Sequence, residues 1–120
     1  MTAVAERDVR ALVELTAPDV RWRSFFAALL ERGEYRGHDA LHQYLRDLDD
    51  SFEFVRPKVE QTVDVGELVV LVGQIGYRGR ASGIETEEPA GWVFEFKNGK
   101  VVSFRAFRDP ERALADVGLQ

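Results

Sequence analysis

The sequence contains no cysteine and no long apolar run. Without cysteine there is no disulfide framework, no thiolate metal site and no cysteine nucleophile. No stretch approaches the length of about eighteen apolar residues that a membrane helix requires. Glu6, Arg7 and Asp8 interrupt the amino terminus where a signal peptide needs an apolar core. We therefore expect a cytoplasmic protein with no membrane partner.

The sequence also lacks a basic excess, since its formal net charge is −5. Its one local concentration of cations consists of Arg78, Arg80, Lys97 and Lys100. Four cations are too few to follow a phosphate backbone, which needs a concentrated basic face. We therefore expect no nucleic-acid partner.

The composition is that of an ordinary globular chain, with 45% hydrophobic and 31% charged residues among 120. A chain of this length buries roughly two-thirds of its unfolded surface, which is enough for a stable core without disulfides or structural metals. No internal repeat, low-complexity tract or linker is visible. The sequence therefore predicts a single domain over residues 1–120.

Helical periodicity dominates the first half of the chain. Val9, Leu12 and Val13 predict an amphipathic helix over residues 4–15, ended by Pro18 and followed by a short strand over 20–22. Apolar residues at intervals of four predict a second, short helix over 24–32, and a further helix is predicted over 39–49.

From Phe52 onward the apolar period changes from 3.6 to 2, which is typical of strands. Asn98-Gly99 is a strong hairpin signal, and Asp109-Pro110 starts a short terminal helix. Helices followed by a long antiparallel meander predict an α+β fold. The predicted strands cover residues 52–55, 58–64, 68–80, 84–96 and 101–108.

Three stretches resemble the SnoaL-like branch of the ketosteroid-isomerase and nuclear-transport-factor-2-like superfamily. They are RDVRAL running into APDVRW (7–12 and 17–22), YRGHDAL (35–41), and WVFEFKNGKV with a closing DPERAL (92–101 and 109–114). The resemblance implies a cone-shaped curved antiparallel β-sheet wrapped around N-terminal helices, with an internal apolar pocket. It also implies a homodimer through the open face of the sheet.

The residues that catalyse steroid isomerisation in similar proteins have no counterpart here. Their general-base aspartate aligns near Ser24, and their protonated aspartate aligns with Trp92. Their oxyanion-hole tyrosine lies on a first helix that this sequence lacks or shortens. Two interpretations of the missing first helix are open. The sequence is a late-starting reading frame or a naturally shorter variant, or else Phe25, Phe26, Leu29 and Leu30 substitute for the helix as a lid over the pocket.

Strand alternation predicts which side chains line the pocket. Gln74 and Arg78 share one parity with Val70 and Val72, and a one-residue slip would reverse their direction. The alternative is that the arginines extend to water at strand ends. The opposite face of the sheet is predicted to point outward and to form the dimer. Its candidate residues are Leu71, Ile75, Tyr77, Val93, Arg105 and Phe107. The predicted pocket residues are Trp22, Ser24, Phe26, Tyr44, Gln74, Arg78, Trp92, Phe94, Phe104 and Arg108.

Aromatic walls with one or two guanidinium groups suit a small apolar or planar organic ligand. Glu53 and His42 are the candidate catalytic residues. His38 and His42 lie four residues apart, but no third ligand accompanies them, so we expect no metal and no cofactor.

Two acidic clusters are interpreted separately. Glu85, Glu87 and Glu88 are predicted to be an exposed turn. Asp47, Asp49 and Asp50 are interpreted as a solvated helix end or as partners for arginines elsewhere.

Two functions remain open on these residues. One is a small-molecule-binding domain with an apolar and aromatic pocket. The other is a cofactor-independent isomerase, cyclase or hydrolase acting on a polyketide-, terpenoid- or aromatic-like metabolite.

Overall fold

The computed structural model describes residues 8–26 and 34–119, which contain three helices and six strands. The helices are α1 (Val9–Leu15), α2 (His38–Ser51) and α3 (Pro110–Asp116). The strands are β1 (Thr16–Arg23), β2 (Tyr35–Arg36), β3 (Phe52–Val65), β4 (Leu68–Gly79), β5 (Glu85–Lys97) and β6 (Lys100–Phe107). None of the helices in these ranges is long and apolar enough to cross a membrane.

The helix ends follow from short local contacts. The Asp8 side chain accepts a hydrogen bond from the Ala11 N–H and so caps the start of α1. The Thr16 hydroxyl donates to the Leu12 carbonyl at 2.8 Å where α1 gives way to β1. Arg80 reaches the carbonyl and the carboxylate of Asp49, near the end of α2. Both interpretations of the acidic helix end therefore hold at Asp49, which is largely exposed and contacts an arginine.

The strands form one curved, open, mixed sheet in the order β2-β1-β6-β5-β4-β3. The expected α+β cone is confirmed, but the sheet is not purely antiparallel, because β1 pairs parallel with β6. Trp22 lies opposite Phe104 in that pairing. A parallel pair needs a long crossover, and here the chain passes through α2 and the whole meander before it returns beside β1.

Two predicted strands, 52–55 and 58–64, form the single strand β3, which contains Pro57. An edge strand tolerates proline, and β3 is the last strand of the sheet. β1 starts at Thr16 rather than at Val20, and its pairing with β6 is irregular around Pro18. Of the helix predicted over 24–32, the described part is a turn through Phe26, and 27–33 lie outside the described residues.

Apolar clusters lie on both faces of the sheet. The main core lies on the side of α1 and α2, and a smaller cluster lies beneath α3 on the opposite, outer face. Val70, Val93 and Ala113 are the buried members of the smaller cluster, and Phe107 packs against them. The outward face was expected to stay open for a partner, and α3 covers the part of it that contains Val93 and Phe107.

The face predicted for β4 is wrong by one residue. Leu71, Ile75 and Tyr77 were expected to point outward, and all three pack in the main core. The parity was ambiguous because Val70 and Val72 are also covered, so the apolar run of β4 faces a core on each side.

Candidate functional site in the aromatic core

Five aromatic residues form what we call the aromatic interior: Trp22, Phe26, Tyr44, Trp92 and Phe104. Each is at most 4% exposed. Trp22 stacks on Phe104 with ring centroids 4.1 Å apart, and the Tyr44 ring lies 5.9 Å from Trp22. Aromatic pairs at such distances add to the free energy of burial, so the Trp22 ring is held in place by Phe104 and Tyr44.

Phe26 joins the aromatic interior to a second group of rings. Its centroid lies 4.5 Å from that of Phe52 and 5.1 Å from that of Tyr77. Phe25 packs against Phe26 at 5.1 Å. Three rings therefore hold Phe26 against the inner face of β3 and β4.

The cavity among these rings has a volume of about 10 Å³, close to that of one water molecule. Its walls include Phe26, Tyr44, Trp92 and Phe104, all of which the sequence predicted as pocket residues, together with Phe25, Val55, Pro57 and Ile75. Among the described residues this cavity is therefore too small for an organic ligand unless a side chain moves.

Few polar atoms reach the aromatic interior. The Ser24 hydroxyl donates to the Tyr44 hydroxyl at 3.2 Å and accepts from the Phe26 backbone N–H at 3.1 Å. The Tyr35 hydroxyl, on the strand beside β1, donates to Asp47 at 2.6 Å. Within 8–26 and 34–119, Trp22 Nε1 is the one buried side-chain nitrogen or oxygen with no hydrogen-bond partner.

A charged group lies at the edge of these rings, and we call it the polar mouth: Tyr77, Glu88 and Arg108. The Tyr77 hydroxyl donates to Glu88, whose other oxygen lies 3.1 Å from Arg108 Nη1. The Arg108 guanidinium also covers the Phe25 ring, 4.8 Å from its centroid. Burial, and then the hydrogen bond and charge of Glu88, raise the pKa of Tyr77 above 10.0. Tyr77 therefore remains a hydrogen-bond donor at neutral pH.

Glu88 was predicted to be exposed together with Glu85 and Glu87, and this prediction is wrong. Its side chain is only 27% exposed, and it lies opposite Ile75 on the core face. The sequence held the signal, because Glu88 shares the parity of Ala90 and Trp92 on β5. Of the predicted arginines, Arg108 lies at the polar mouth.

The structure places the other predicted site residues elsewhere. Gln74 and Arg78 lie on the outer face of β4, and Arg78 Nη1 is 3.5 Å from Glu53. Both members of that pair are almost half exposed. His42 lies in a groove with Val9 and Arg46. Phe94 packs on Phe104 with centroids 4.8 Å apart.

His38 Nε2 lies 3.1 Å from the Thr16 carbonyl, which gives this histidine a structural contact between α2 and β1. In the described part of the chain, no three His, Asp or Glu side chains come together as a metal site would require.

A second depression, the outer groove, crosses the opposite face of the sheet above Gly76. Its volume is about 430 Å³. Arg56 and Lys58 line it from β3, while Glu85 and Glu87 line it from β5. The groove exists because Gly76 has no side chain between these two rows of opposite charge.

The fold, the curved open sheet and the interior rings can now be compared with known proteins. The sequence profile of the SnoaL-like domain matches residues 1–104. The chain belongs to the SnoaL-like family. No functionally curated protein matches this SnoaL-like chain significantly.

Solved structures share the fold of this SnoaL-like protein over nearly its whole length. An NTF2-like protein of unknown function from Burkholderia pseudomallei is 23% identical with a TM-score of 0.80, covering 98% of this chain and 90% of that one. A candidate SnoaL-like polyketide cyclase from Shewanella denitrificans is 18% identical with a TM-score of 0.75, covering 96% of this chain and 88% of that one. TerC, co-crystallised with polyporic acid, is 17% identical with a TM-score of 0.78, covering 97% and 89%.

Proposed function

We propose that this SnoaL-like protein binds a small planar or apolar organic molecule in its aromatic interior. The observation that carries the proposal is the lining of the central cavity, where aromatic and aliphatic side chains surround Tyr44, whose hydroxyl accepts a hydrogen bond from Ser24. Mostly apolar walls with a few convergent polar groups are typical of small-molecule sites. The complex of TerC with polyporic acid supports the same use of the fold.

Binding requires one ring to move, because the cavity holds only about 10 Å³. Phe26 is the side chain best placed to do so, since it lies in a turn after β1 rather than within a strand. A ligand ring that takes its place would recover the contacts that Phe26 makes with Phe52 and Tyr77. The ligand would thus replace a side-chain ring instead of filling an open pocket.

The test uses indane, a planar bicyclic hydrocarbon, with the fluorescence of Trp22 and Trp92 as the readout. Phe26→Ala removes the ring that the ligand must displace, which is worth about 1.5–3 kcal/mol of burial. We therefore expect Phe26→Ala to bind indane about 10- to 100-fold more tightly than the wild type.

Phe107→Ala is the matched control, because it removes a phenyl ring from the cluster beneath α3 on the other face of the sheet. We expect its affinity for indane to equal that of the wild type. Equal affinity of Phe26→Ala and Phe107→Ala for indane would contradict binding in the aromatic interior.

The polar mouth supports a second candidate function, a cofactor-independent enzyme. The Glu88 carboxylate would remove a proton from the carbon beside a ligand carbonyl, and the C–H electron pair would form an enolate. The Arg108 guanidinium would stabilise the enolate oxygen, and the proton would return from Glu88. The support is that both groups meet at the edge of the rings, where Arg108 covers Phe25.

Proton removal is measured as deuterium incorporation into 1-indanone in D₂O by NMR. The enzyme hypothesis expects exchange above the buffer rate in the wild type and buffer-level exchange in Glu88→Gln. Glu53→Gln is the control, since Glu53 pairs with Arg78 on the outer face. Wild-type exchange at the buffer rate would leave only the binding function.

For the assembly, we propose a two-fold homodimer through the outer groove. A two-fold axis would place Arg56 and Lys58 of one copy against Glu85 and Glu87 of the other, so the surface is complementary to itself. Sedimentation velocity should give a dimer that weakens at high salt. Arg56→Glu should yield monomers and Arg10→Glu, on α1, should not. A wild-type monomer at high micromolar concentration would contradict this assembly.

The two apolar clusters share one sheet, which supports the expectation that residues 1–120 form one domain. A cytoplasmic location stays a prediction, and cell fractionation would test it.

A further inference from the structure

Trp22 carries an indole N–H that is buried without a hydrogen-bond partner. The side chain is 2% exposed, and among the described residues Nε1 has no acceptor within hydrogen-bond distance. A buried donor without an acceptor costs free energy that phenylalanine at the same position would avoid. Such a group in a native core is a reason to look for an acceptor that the protein receives from outside.

The indole cannot turn outward to find one. β1 holds Trp22 between Tyr35 on β2 and Phe104 on β6, and the stacking with Phe104 fixes the plane of the ring. Strand pairing on both sides therefore fixes the backbone, and ring packing fixes the side chain. The donor is presented inside the molecule in one orientation.

Trp22 also lies next to the cavity walls. Tyr44 and Phe104, which both pack on the indole, are themselves cavity-lining residues. Ser24, the residue directly after the end of β1, donates to the Tyr44 hydroxyl on α2. These polar groups next to the rings thus lie on β1, directly after it and on α2.

We propose that Trp22 Nε1 donates a hydrogen bond to a carbonyl oxygen of the bound molecule, which makes the ligand a planar aromatic ketone or quinone. This inference rests on the proposed binding function and names the chemical class of its ligand. A neutral acceptor suits the site, because the rings packed on the indole, Phe104 and Tyr44, offer no charge to balance a carboxylate.

The experiment compares 1-indanone with indane, two bicyclic molecules of nearly equal shape that differ by the carbonyl group. One hydrogen bond made to a preformed donor predicts that the wild type prefers 1-indanone by about 3- to 10-fold. Trp22→Phe keeps an aromatic ring and removes the N–H. We expect this variant to bind the two molecules equally, and its retained binding of indane shows that it is folded.

A second measurement needs no variant. The chain has two tryptophans, so the indole N–H resonances of Trp22 and Trp92 are resolved in ¹⁵N-labelled protein. The resonance of Trp22 should move downfield with 1-indanone and not with indane, while that of Trp92 should respond alike to both.

The outcomes separate the two proposals. Equal affinity of the wild type for both molecules, without a carbonyl-dependent shift at Trp22, would overturn the hydrogen bond and leave binding in the aromatic interior intact. Failure of both molecules to bind the wild type and Phe26→Ala would overturn the proposed function and this inference with it.

Discussion

The packing of α3 on β5 makes a sharp prediction at Gly91. A Cβ atom built on Gly91 would lie 2.5 Å from the Ala113 Cβ and 3.2 Å from the Pro110 Cα. Non-bonded carbons prefer roughly 3.5–4.0 Å, so Gly91→Ala forces the helix to move by about 1 Å. Because α3 is what covers Val70 and Val93, this one methyl group tests whether the outer cluster exists.

The magnitude is the difference of two opposing effects. Overpacking of this kind costs about 1–3 kcal/mol. Replacing glycine by alanine within a strand returns about 0.5–1 kcal/mol of chain entropy. We therefore expect Gly91→Ala to lower the free energy of unfolding by about 1 kcal/mol, and by no more than about 2.5 kcal/mol.

Urea denaturation followed by tryptophan fluorescence measures this free energy, and Gly76→Ala is the matched control. Gly76 also lies in a strand, but the nearest atoms to its Cβ position are 3.9 Å away. That variant should be more stable than the wild type by about 0.5–1 kcal/mol. Gly91→Ala should thus lower the urea midpoint of unfolding and Gly76→Ala should raise it. The dependence of the unfolding free energy on urea concentration should be similar in both variants.

A second substitution locates the clash. Ala113→Gly removes the nearer contact, although glycine in a helix costs about 1 kcal/mol by itself. The double variant should therefore lose less stability than the sum of the two single losses. If Gly91→Ala is instead as stable as Gly76→Ala, α3 does not pack on β5 and the reasoning is refuted.

Three further predictions concern the inner face and the end of α2. Trp92 is 1% exposed, so Trp92→Ala should lower the free energy of unfolding by about 3–5 kcal/mol. A variant that melts at the same temperature as the wild type would show that the indole lies outside the core. The raised pKa of Tyr77 implies stability that is fully present below pH 10 and is lost as the pH rises through the folded-state pKa. Glu88→Gln should lower that pKa, so tyrosinate absorbance should appear at lower pH; an unchanged titration would contradict the contact. Arg80→Met should cost less than about 1 kcal/mol, and the loss should shrink at high salt if the ion pair with Asp49 is its cause.

Local sequence signals predicted most of the elements. The stripe of Leu41, Tyr44, Leu45 and Leu48 predicted α2, and these four residues are its buried side. Asn98 and Gly99 both adopt positive φ between β5 and β6, as the hairpin signal requires. Such features depend on neighbouring residues alone, and a single sequence contains them.

Features that depend on distant parts of the chain were not predictable in this way. The parallel pairing of Trp22 with Phe104 joins opposite ends of the sequence, and no local pattern records it. The face of Gln74 was predicted wrongly because α3 buries the outer side of β4 as well.

The candidate site shows the same division. The ring-rich composition of the interior was visible in Trp22, Phe26, Trp92 and Phe104. Glu88 was overlooked because it was grouped with Glu85 and Glu87, although the core begins at Ala90, only two residues further along β5. The contact with Tyr77 depends on strand register, which alternation alone fixes only to within one residue.

The parallel pairing of β1 with β6 also has a consequence for synthesis. Because β6 is the last strand to leave the ribosome, β1 waits without its main partner while almost all of the chain is made. Pairings between distant residues slow folding, because the long loop must be closed before they can form. The β3–β4 and β4–β5 hairpins are close in sequence and can form first. A nascent chain stalled before Lys100 should therefore leave Trp22 exposed, and release of β6 should bury it.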